Sequence, residues 1–543
     1  MSKVSEYLNE HLLGEVVASK RVRQRFSRDG SVLTMVPELV ALPRSTNDIR
    51  KLARFSWQLA EKGHIMGLTM RGGGTDTTGG AIGKGVVVET RAHLNNILHL
   101  SLKEKFVHVQ PGTTIDTVSQ VLQWNGLALS GIPATSTYST VGGALAKNSA
   151  GAAGTEGLAQ SVRRLEVVLA NGDILEVGPV SKRELNQKKG LQTFEGDIYR
   201  KLDALIEDNQ EVIDKVLVGD DENRTGYQGI SRVKQKDGSF DLTPLFIGNQ
   251  GTLGIISEIV LNTTFYALNQ AALVVVLDTP ELARDTADFL RSFEPAELTT
   301  LDGKLYEDAQ ALGKLYAFFD EETDGSGIGA VVYARFNEFG ERGISHKMKK
   351  VVKELTKRGL SPLTSDDRAI EELDAMRDVL GVVINPASDA ASLPPLIDGA
   401  LIPFERQEEF AALVKELSAK HHVSLPLVIN GLSGAVIARP TLHLDQVGDK
   451  QKIFRLMNDY AELVDKCGGT FNGTAGEGRL QANAAWSLLD EQVAELYKQV
   501  KQIFDPYGIL NPGVKQTAEL RELVGALRSS FDTADVAEYG PTR

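Results

Sequence analysis

The sequence predicts an α+β protein built from two large domains. Three observations carry this. The chain has 543 residues, more than a single core organises. Short apolar runs of strand length alternate with amphipathic helical runs, so neither an all-helical nor an all-strand fold fits. Near Gln270 glycine-rich connections give way to a tighter alternation of strands and helices. The boundaries that follow are an N-terminal helical segment over 1–32, a first domain over 33–268, a second over 269–497 and a closing segment over 498–543.

In the first domain, VPELVALP from about Pro37 reads as a strand and a turn. Ser45 to Asp48 is a helix start, with a hydroxyl at the cap, opening an amphipathic run to about Lys62. HIMGLTM is a buried strand, and VVVET, ILHL and FVHVQPG are further strands. Thr114 to Trp124 is helical, with Gly126 as its stop. LEVVLANGDILEV is a hairpin, because Asn171-Gly172 suits a tight turn between alternating apolar residues. The charged stretch from about Ser181 to Ser239 reads as helices and a long surface insertion. PLFIGNQGTLGIISEIVL returns to strand.

In the second domain, AALVVVL, a helix from Pro280 to about Phe293, GAVVYARF and a Lys-rich helix make one round. GALIPF, a helix to about Lys420, VSLPLVI, AVIARPTLHL and a helix to Lys466 make a loose second round. This is the pattern of a compact antiparallel sheet with helices on one side. The tail after Tyr539 reads as disordered.

Composition narrows the function. A formal charge of -13 without a Lys/Arg-rich run disfavours a nucleic-acid partner. Cys467 is the only cysteine, so the chain makes no internal disulfide, cysteine metal cluster or iron–sulfur site of its own. The N-terminus is polar and has no apolar signal core. The uncharged segment from Gly126 to Ala146 is too rich in Gly, Ser, Thr and Pro to span a membrane. A soluble cytoplasmic protein is expected.

The stretch Met70 to Gly80, MRGGGTDTTGG, is the first sign of chemistry. Glycines let a ligand touch the main chain, consecutive amides make an anion-binding nest, and Arg71 and three threonines add donors. A phosphate or pyrophosphate is the natural guest, although a lone run of this kind fits a flexible turn equally well. The common phosphate motifs do not match: Gly83-Lys84 is followed by Gly85 rather than a hydroxyl residue, and Thr77 stands where a dinucleotide fingerprint has its last glycine.

Two further loops of small residues follow, Pro133 to Gly151 (PATSTYSTVGGALAKNSAG) and Gly248 to Glu258 (GNQGTLGIISE). Phe504 to Gly513 reads FDPYGILNPG. In this order the four segments resemble the vanillyl-alcohol oxidase/para-cresol methylhydroxylase superfamily of FAD-linked oxidases. Within it they are most similar to the glycolate oxidase, D-lactate dehydrogenase and D-2-hydroxyglutarate dehydrogenase branch. The resemblance runs from about Ser27 to Lys515. It implies a PCMH-type FAD-binding domain, a ferredoxin-like α+β substrate cap, and a closing segment that returns to the FAD domain. Arg71, Gly72, Gly73, Gly74, Thr75 and Asp76 would wrap the FAD pyrophosphate. Pro133, Thr140, Gly142, Gly143, Asn148 and Gly151 would run along the diphosphate and flavin, with Ile255 near the flavin and Asn511 returning from the C-terminus. Relatives with covalent flavin often carry His where Thr75 stands, so non-covalent FAD is expected.

The branch often has H-x-G-D-G-N-x-H and G-E-H-G in its cap, supplying metal ligands and a base. Here Leu432 and Arg439 stand at the two histidine positions, and Thr474 and Ala475 replace the Glu and His. These residues do not suit a metal, so none is expected. Arg377 matches a family arginine that grips a substrate carboxylate, and Arg439 and Arg479 are candidates for the same pocket. On a strand Arg439, Thr441 and His443 would share a face, which makes His443 a candidate base; Glu477 is another. Each arginine has an ordinary ion pair as its alternative.

The expected function is oxidation of a small 2-hydroxy acid by hydride transfer to FAD. The alternatives are another alcohol or a sugar acid, or a flavin-binding protein without turnover. Oxygen, a quinone and an electron-transfer protein stand equal as electron acceptor, and the oligomeric state is open.

Overall fold

The computed structural model describes residues 2–133, 135–151, 154, 156–220, 222–311, 313–316, 327–380 and 394–529. The tail after Tyr539 lies outside them. Three sheets organise the chain. A four-stranded sheet has the order Glu15–Val17, Leu39–Leu42, Val86–Glu89, Leu68–Arg71, with the last three strands parallel. Its cross-connection is the helix Thr46–Glu61, capped by Ser45, whose Oγ accepts from the Asp48 amide. The N-terminal segment therefore does more than form helices, because Glu15–Val17 adds an antiparallel edge to this sheet.

The second sheet is antiparallel, in the order Ile97–Ser101, Phe106–Val109, Ile255–Asn262, Val162–Val168, Ile174–Val177. Its hairpin turns at Asn171-Gly172, and Gly172 has φ +84°. The stretch after Ser181 differs from its expectation. Helix Phe194–Asp208 buries Ile198, Tyr199, Leu202 and Ile206, and Tyr227, Ile230 and Val233 join the same core. Apolar residues at helical spacing lie inside the charged composition, so the segment is a packed layer and not a surface insertion.

The cap carries a seven-stranded antiparallel sheet, in the order Leu363–Thr364, Asn269–Leu277, Ala330–Glu338, Glu297–Asp302, Leu427–Asn430, Ala435–Ala438, Ile397–Leu401. Read in chain order, the first four strands stand 4-1-3-2, the ferredoxin-like arrangement. The last three stand 2-3-1, so the second half mirrors the first. The halves meet at Thr299↔Asn430, Thr300↔Ile429 and Leu301↔Val428. Helices Pro280–Arg291 and Glu341–Lys357 cover one face, burying Leu290, Ile344, Val351 and Leu355 against Leu273, Val275, Val332 and Phe336. Leu432 packs into that helix-side cluster. The opposite face looks toward the first domain.

The closing segment returns to the first domain earlier than position 498. Leu480 and Arg479 already donate their amides to the Thr78 carbonyl, and helix Glu491–Phe504 packs Phe504 against Phe246. Leu510 then bridges Leu68 in parallel. Among the described residues no helix is long and apolar enough to cross a membrane.

Candidate active site

Strand Leu68–Arg71 delivers the glycine loop to the mouth of a cavity of about 630 Å³. The three small-residue loops form one wall of this cavity, and the cap-sheet face opposite helices Pro280–Arg291 and Glu341–Lys357 forms the other. The loops touch directly. Thr75 Oγ1 lies 3.0 Å from Ser139 Oγ, Lys147 Nζ lies 2.7 Å from Asp76 Oδ1, and the Gln250 amide donates to the Ala146 carbonyl at 2.7 Å. Glycine makes this closeness possible. A Cβ on Gly72 would stand 2.2 Å from Thr140 Oγ1, and one on Gly73 would stand 1.9 Å from the Tyr138 carbonyl oxygen.

From Gly72 to Thr77 no backbone N–H donates to a protein acceptor among the described residues. Such a run of amides with unmet capacity is the donor set of an anion nest. Asp76 organises the loop from within. Its carboxylate accepts from the Gly80 amide and from the Thr78 amide and hydroxyl. Burial alone would raise its carboxyl, but Lys147 and these hydrogen bonds outweigh burial and hold it below the usual range. Arg71 is buried beneath the loop, donating to the Ala81 carbonyl at 3.3 Å and lying over the Phe26 ring.

Gly72, Gly73, Gly74, Thr75, Asp76, Thr140, Gly142, Gly143, Gly151 and Ile255 all line the cavity, as does Arg71. Pro133, Asn148 and Asn511 do not. Asn148 closes helix Val141–Lys147 in the left-handed conformation. Asn511 is a tie between segments: its side chain accepts from Thr69 and Arg479 and donates to the Gly80 and Gln250 carbonyls. The Gly142 amide already donates to the Pro111 carbonyl, so that glycine serves close approach. Asn249, fully buried on the cavity wall, has a side-chain Nδ2 with no protein partner. Lys147 is a wall residue that its motif contained but that sequence reasoning did not single out.

On the cap floor, Arg377 and Arg439 reach the cavity. Neither stands alone. Arg377 donates to Glu297 and to Asp378, and Arg439 makes a two-pronged contact with Asp398 at 3.1 and 2.7 Å. Glu297, Asp378 and Asp398 were not legible as site residues, because single acids on strands and helix ends carry no motif. Between the two pairs Val428 and Ile437 make an apolar strip, edged by Thr299 and Asn430.

Three candidates lie off the cavity. Arg479 is buried away from the cavity wall, where its guanidinium donates to the carbonyls of Gly79, Ile82 and Pro512 and to Asn511. Burial lowers its pKa to about 10. His443 also lies off the cavity, because the strand ends at Ala438, before Pro440, and the alternation that aligned it with Arg439 stops there. Glu477 is likewise engaged elsewhere, accepting from the Gly226 amide, Trp486 and Lys515. Among the described residues no group of three or more His, Cys, Asp or Glu could hold a metal ion.

Residues 37–178 match the family model described as an FAD binding domain, and residues 268–514 match the C-terminal domain of FAD linked oxidases. The chain belongs to the FAD-linked oxidase family. FAD is its cofactor. This FAD-linked oxidase is 26% identical to D-2-hydroxyglutarate dehydrogenase of Escherichia coli, over 94% of its own length and 51% of the relative's. It is 24% identical to the glycolate oxidase subunit GlcD of Bacillus subtilis, over 91% of its own length and 92% of the relative's. It spans about half the length of the D-2-hydroxyglutarate dehydrogenases of Haemophilus influenzae and Escherichia coli. Among solved structures, p-cresol methylhydroxylase with substrate bound shares the fold at a TM-score of 0.67, with 14% identity over 95% of this chain and 96% of that one. 4-Ethylphenol oxidase from Gulosibacter chungangensis does so at 0.66, with 15% identity over 96% and 98%. The PCMH-type fold expected from the motifs is the fold found.

The residues present fit FAD. The bare amides of the glycine loop suit a diphosphate, and the Asn249 amide nitrogen is a buried donor in need of an acceptor. The small side chains of the loops leave room for a ring system.

Proposed function

We propose that this FAD-linked oxidase converts a small 2-hydroxy acid to its 2-oxo acid, with FAD held non-covalently. The observation that carries the reading is one cavity lined both by the glycine-loop nest and by Arg377 and Arg439. When bound, FAD supplies the hydride acceptor. The chain supplies the rest. The loop from Gly72 to Thr77 holds the diphosphate, and Thr75 offers no group for a covalent flavin bond. Arg377 takes the substrate carboxylate by exchanging part of its contacts with Glu297 or Asp378, while Arg439 stays on Asp398. The cap sheet excludes water. The residues standing in place of the branch's metal ligands, Leu432, Arg439, Thr474 and Ala475, favour a reaction that runs without a metal.

A second reading is favoured by one observation: both arginines on the cap floor are already matched by carboxylate. A polyhydroxylated or otherwise neutral alcohol would then donate to Glu297 and Asp398 rather than displace them. Anaerobic mixing with D- and L-2-hydroxy acids, and separately with sugar alcohols, decides between the two. Bleaching of the flavin absorption by a hydroxy acid supports the first reading. Bleaching by sugar alcohols alone moves the assignment to the second, and a yellow protein bleached by neither overturns both.

A further inference from the structure

The alcohol oxidation proposed above needs a group to take the hydroxyl proton, and the residues read from sequence for that task lie off the cavity. Among the described residues lining it there is no His, Cys or Tyr. The titratable groups on the wall, arginines aside, are Lys147 and the carboxylates of Asp76, Glu297, Asp378 and Asp398. Lys147 and Asp76 are bonded to each other within the glycine loop. Glu297 is held between the guanidiniums of Arg377 and, at 3.9 Å, Arg335. Asp378 is 63% exposed at the side chain and faces solvent.

Asp398 differs from these. Its side chain is 17% exposed, on the cavity floor, one strand away from the apolar strip. It stands in register with Ile437, and the pairing slips between Asp398 and Ala400. The residue between them, Gly399, has φ +97°, and a Cβ there would lie 1.8 Å from Thr474 Oγ1. A bulge of this kind re-aims a side chain relative to a regular strand, and the glycine lets the strand press onto the Thr474 turn. Arg439 binds both carboxylate oxygens, which fixes the plane of the group and leaves each oxygen a further lone pair.

We infer that Asp398 is the proton acceptor for the substrate hydroxyl, with Arg439 as its positioning residue. The inference rests on the reading of the cavity as a site of alcohol oxidation. The balance is simple. The carbinol would lose its O–H proton to an Asp398 oxygen, and FAD, when bound, would supply the acceptor for its C–H hydrogen and two electrons, so that the C–O single bond becomes a carbonyl. The Asp398 proton then passes to solvent. Because the hydroxyl becomes more acidic as the C–H bond breaks, a fixed carboxylate suffices as acceptor.

The test uses the flavin-loaded full chain, mixed anaerobically with D-2-hydroxyglutarate, D-lactate and glycolate. The isosteric Asp398→Asn variant is expected to keep its flavin spectrum and to bind the active acid with a dissociation constant within about threefold of the parent, read from the concentration dependence of bleaching. Its bleaching rate is expected to fall about 100-fold or more. Asp398→Ala is expected to recover part of that rate on addition of formate, which replaces the carboxylate and which a merely structural role would not require. Asp398→Asn bleaching at the parental rate overturns the assignment while leaving the proposed function intact. A slowed variant that formate does not restore overturns it too. A parent protein that none of the three acids bleaches sinks the 2-hydroxy acid reading. Repeating the comparison with the sugar alcohols then tests Asp398 on its own, because proton removal is common to both substrates, and a parent bleached by neither class overturns the assignment as well.

Discussion

Arg479 shows how a side chain can carry a site without entering it. Its guanidinium fastens the end of the glycine loop to the returning C-terminal segment through Gly79, Ile82, Pro512 and Asn511. Replacing it by Leu leaves several buried carbonyls unmet, and the expected loss is about 3 kcal/mol. Thermal unfolding and flavin content should fall together in Arg479→Leu, with little change in substrate KM for molecules that keep FAD. A raised KM with unaltered stability would restore the substrate role expected from sequence. Asp76 gives a pH dependence. A carboxyl depressed in the folded state adds stability above its unfolded value, near 3.8, and loses it as pH falls through the folded value. Lys147 then loses its partner, and FAD is expected to be released only as the pH falls below 3.8, followed by flavin fluorescence. Asp76→Asn should hold FAD more weakly at neutral pH and show a smaller acid step. At this scale the sequence exposed residue types but not directions. Arg71 and Arg479 were legible as cations near the loops. That Arg479 spends its hydrogen bonds on the Gly79 and Ile82 carbonyls followed only from chain segments hundreds of residues apart coming together.

Elements were more legible, because their signals are local. The Ser45 cap, the Gly126 stop and the Asn171-Gly172 turn lie within a few residues of the structure they control. The failures came where a local signal was masked or cut short. Charge hid the apolar face of Phe194–Asp208, and Pro440 ended a strand whose pattern appeared to run on to His443. Glycine in the loop of Arg71–Asp76 has a meaning that only the partner loop supplies. Gly73→Ala is expected to push that loop away from Tyr138, whose carbonyl leaves no space for a methyl group. The protein should then purify colourless, with far-ultraviolet circular dichroism close to the parent. A yellow Gly73→Ala protein with parental FAD affinity would show that the close approach of the two loops is dispensable.

The whole molecule depends on a buried charge pair near its C-terminus. Glu477 and Lys515 are both fully buried, 2.6 Å apart, and join the end of the cap region to the segment after Phe504. Lys515→Met leaves a buried carboxylate uncompensated and should cost about 3–5 kcal/mol in urea unfolding. Adding Glu477→Gln should recover part of that loss, and failure to recover any would place the effect in packing rather than charge. The mirrored strand order of the cap has a different reach. The Arg377–Glu297 pair comes from the first half of the cap and the Arg439–Asp398 pair from the second, with the seam at Thr299 to Leu301 between the two halves of the sheet. A substrate lying across that seam is read by two half-domains of like topology, one at each end of the molecule. Selection can therefore rewrite the acceptance of one end while the other stays as it was, so a single cap can drift among related substrates one pole at a time.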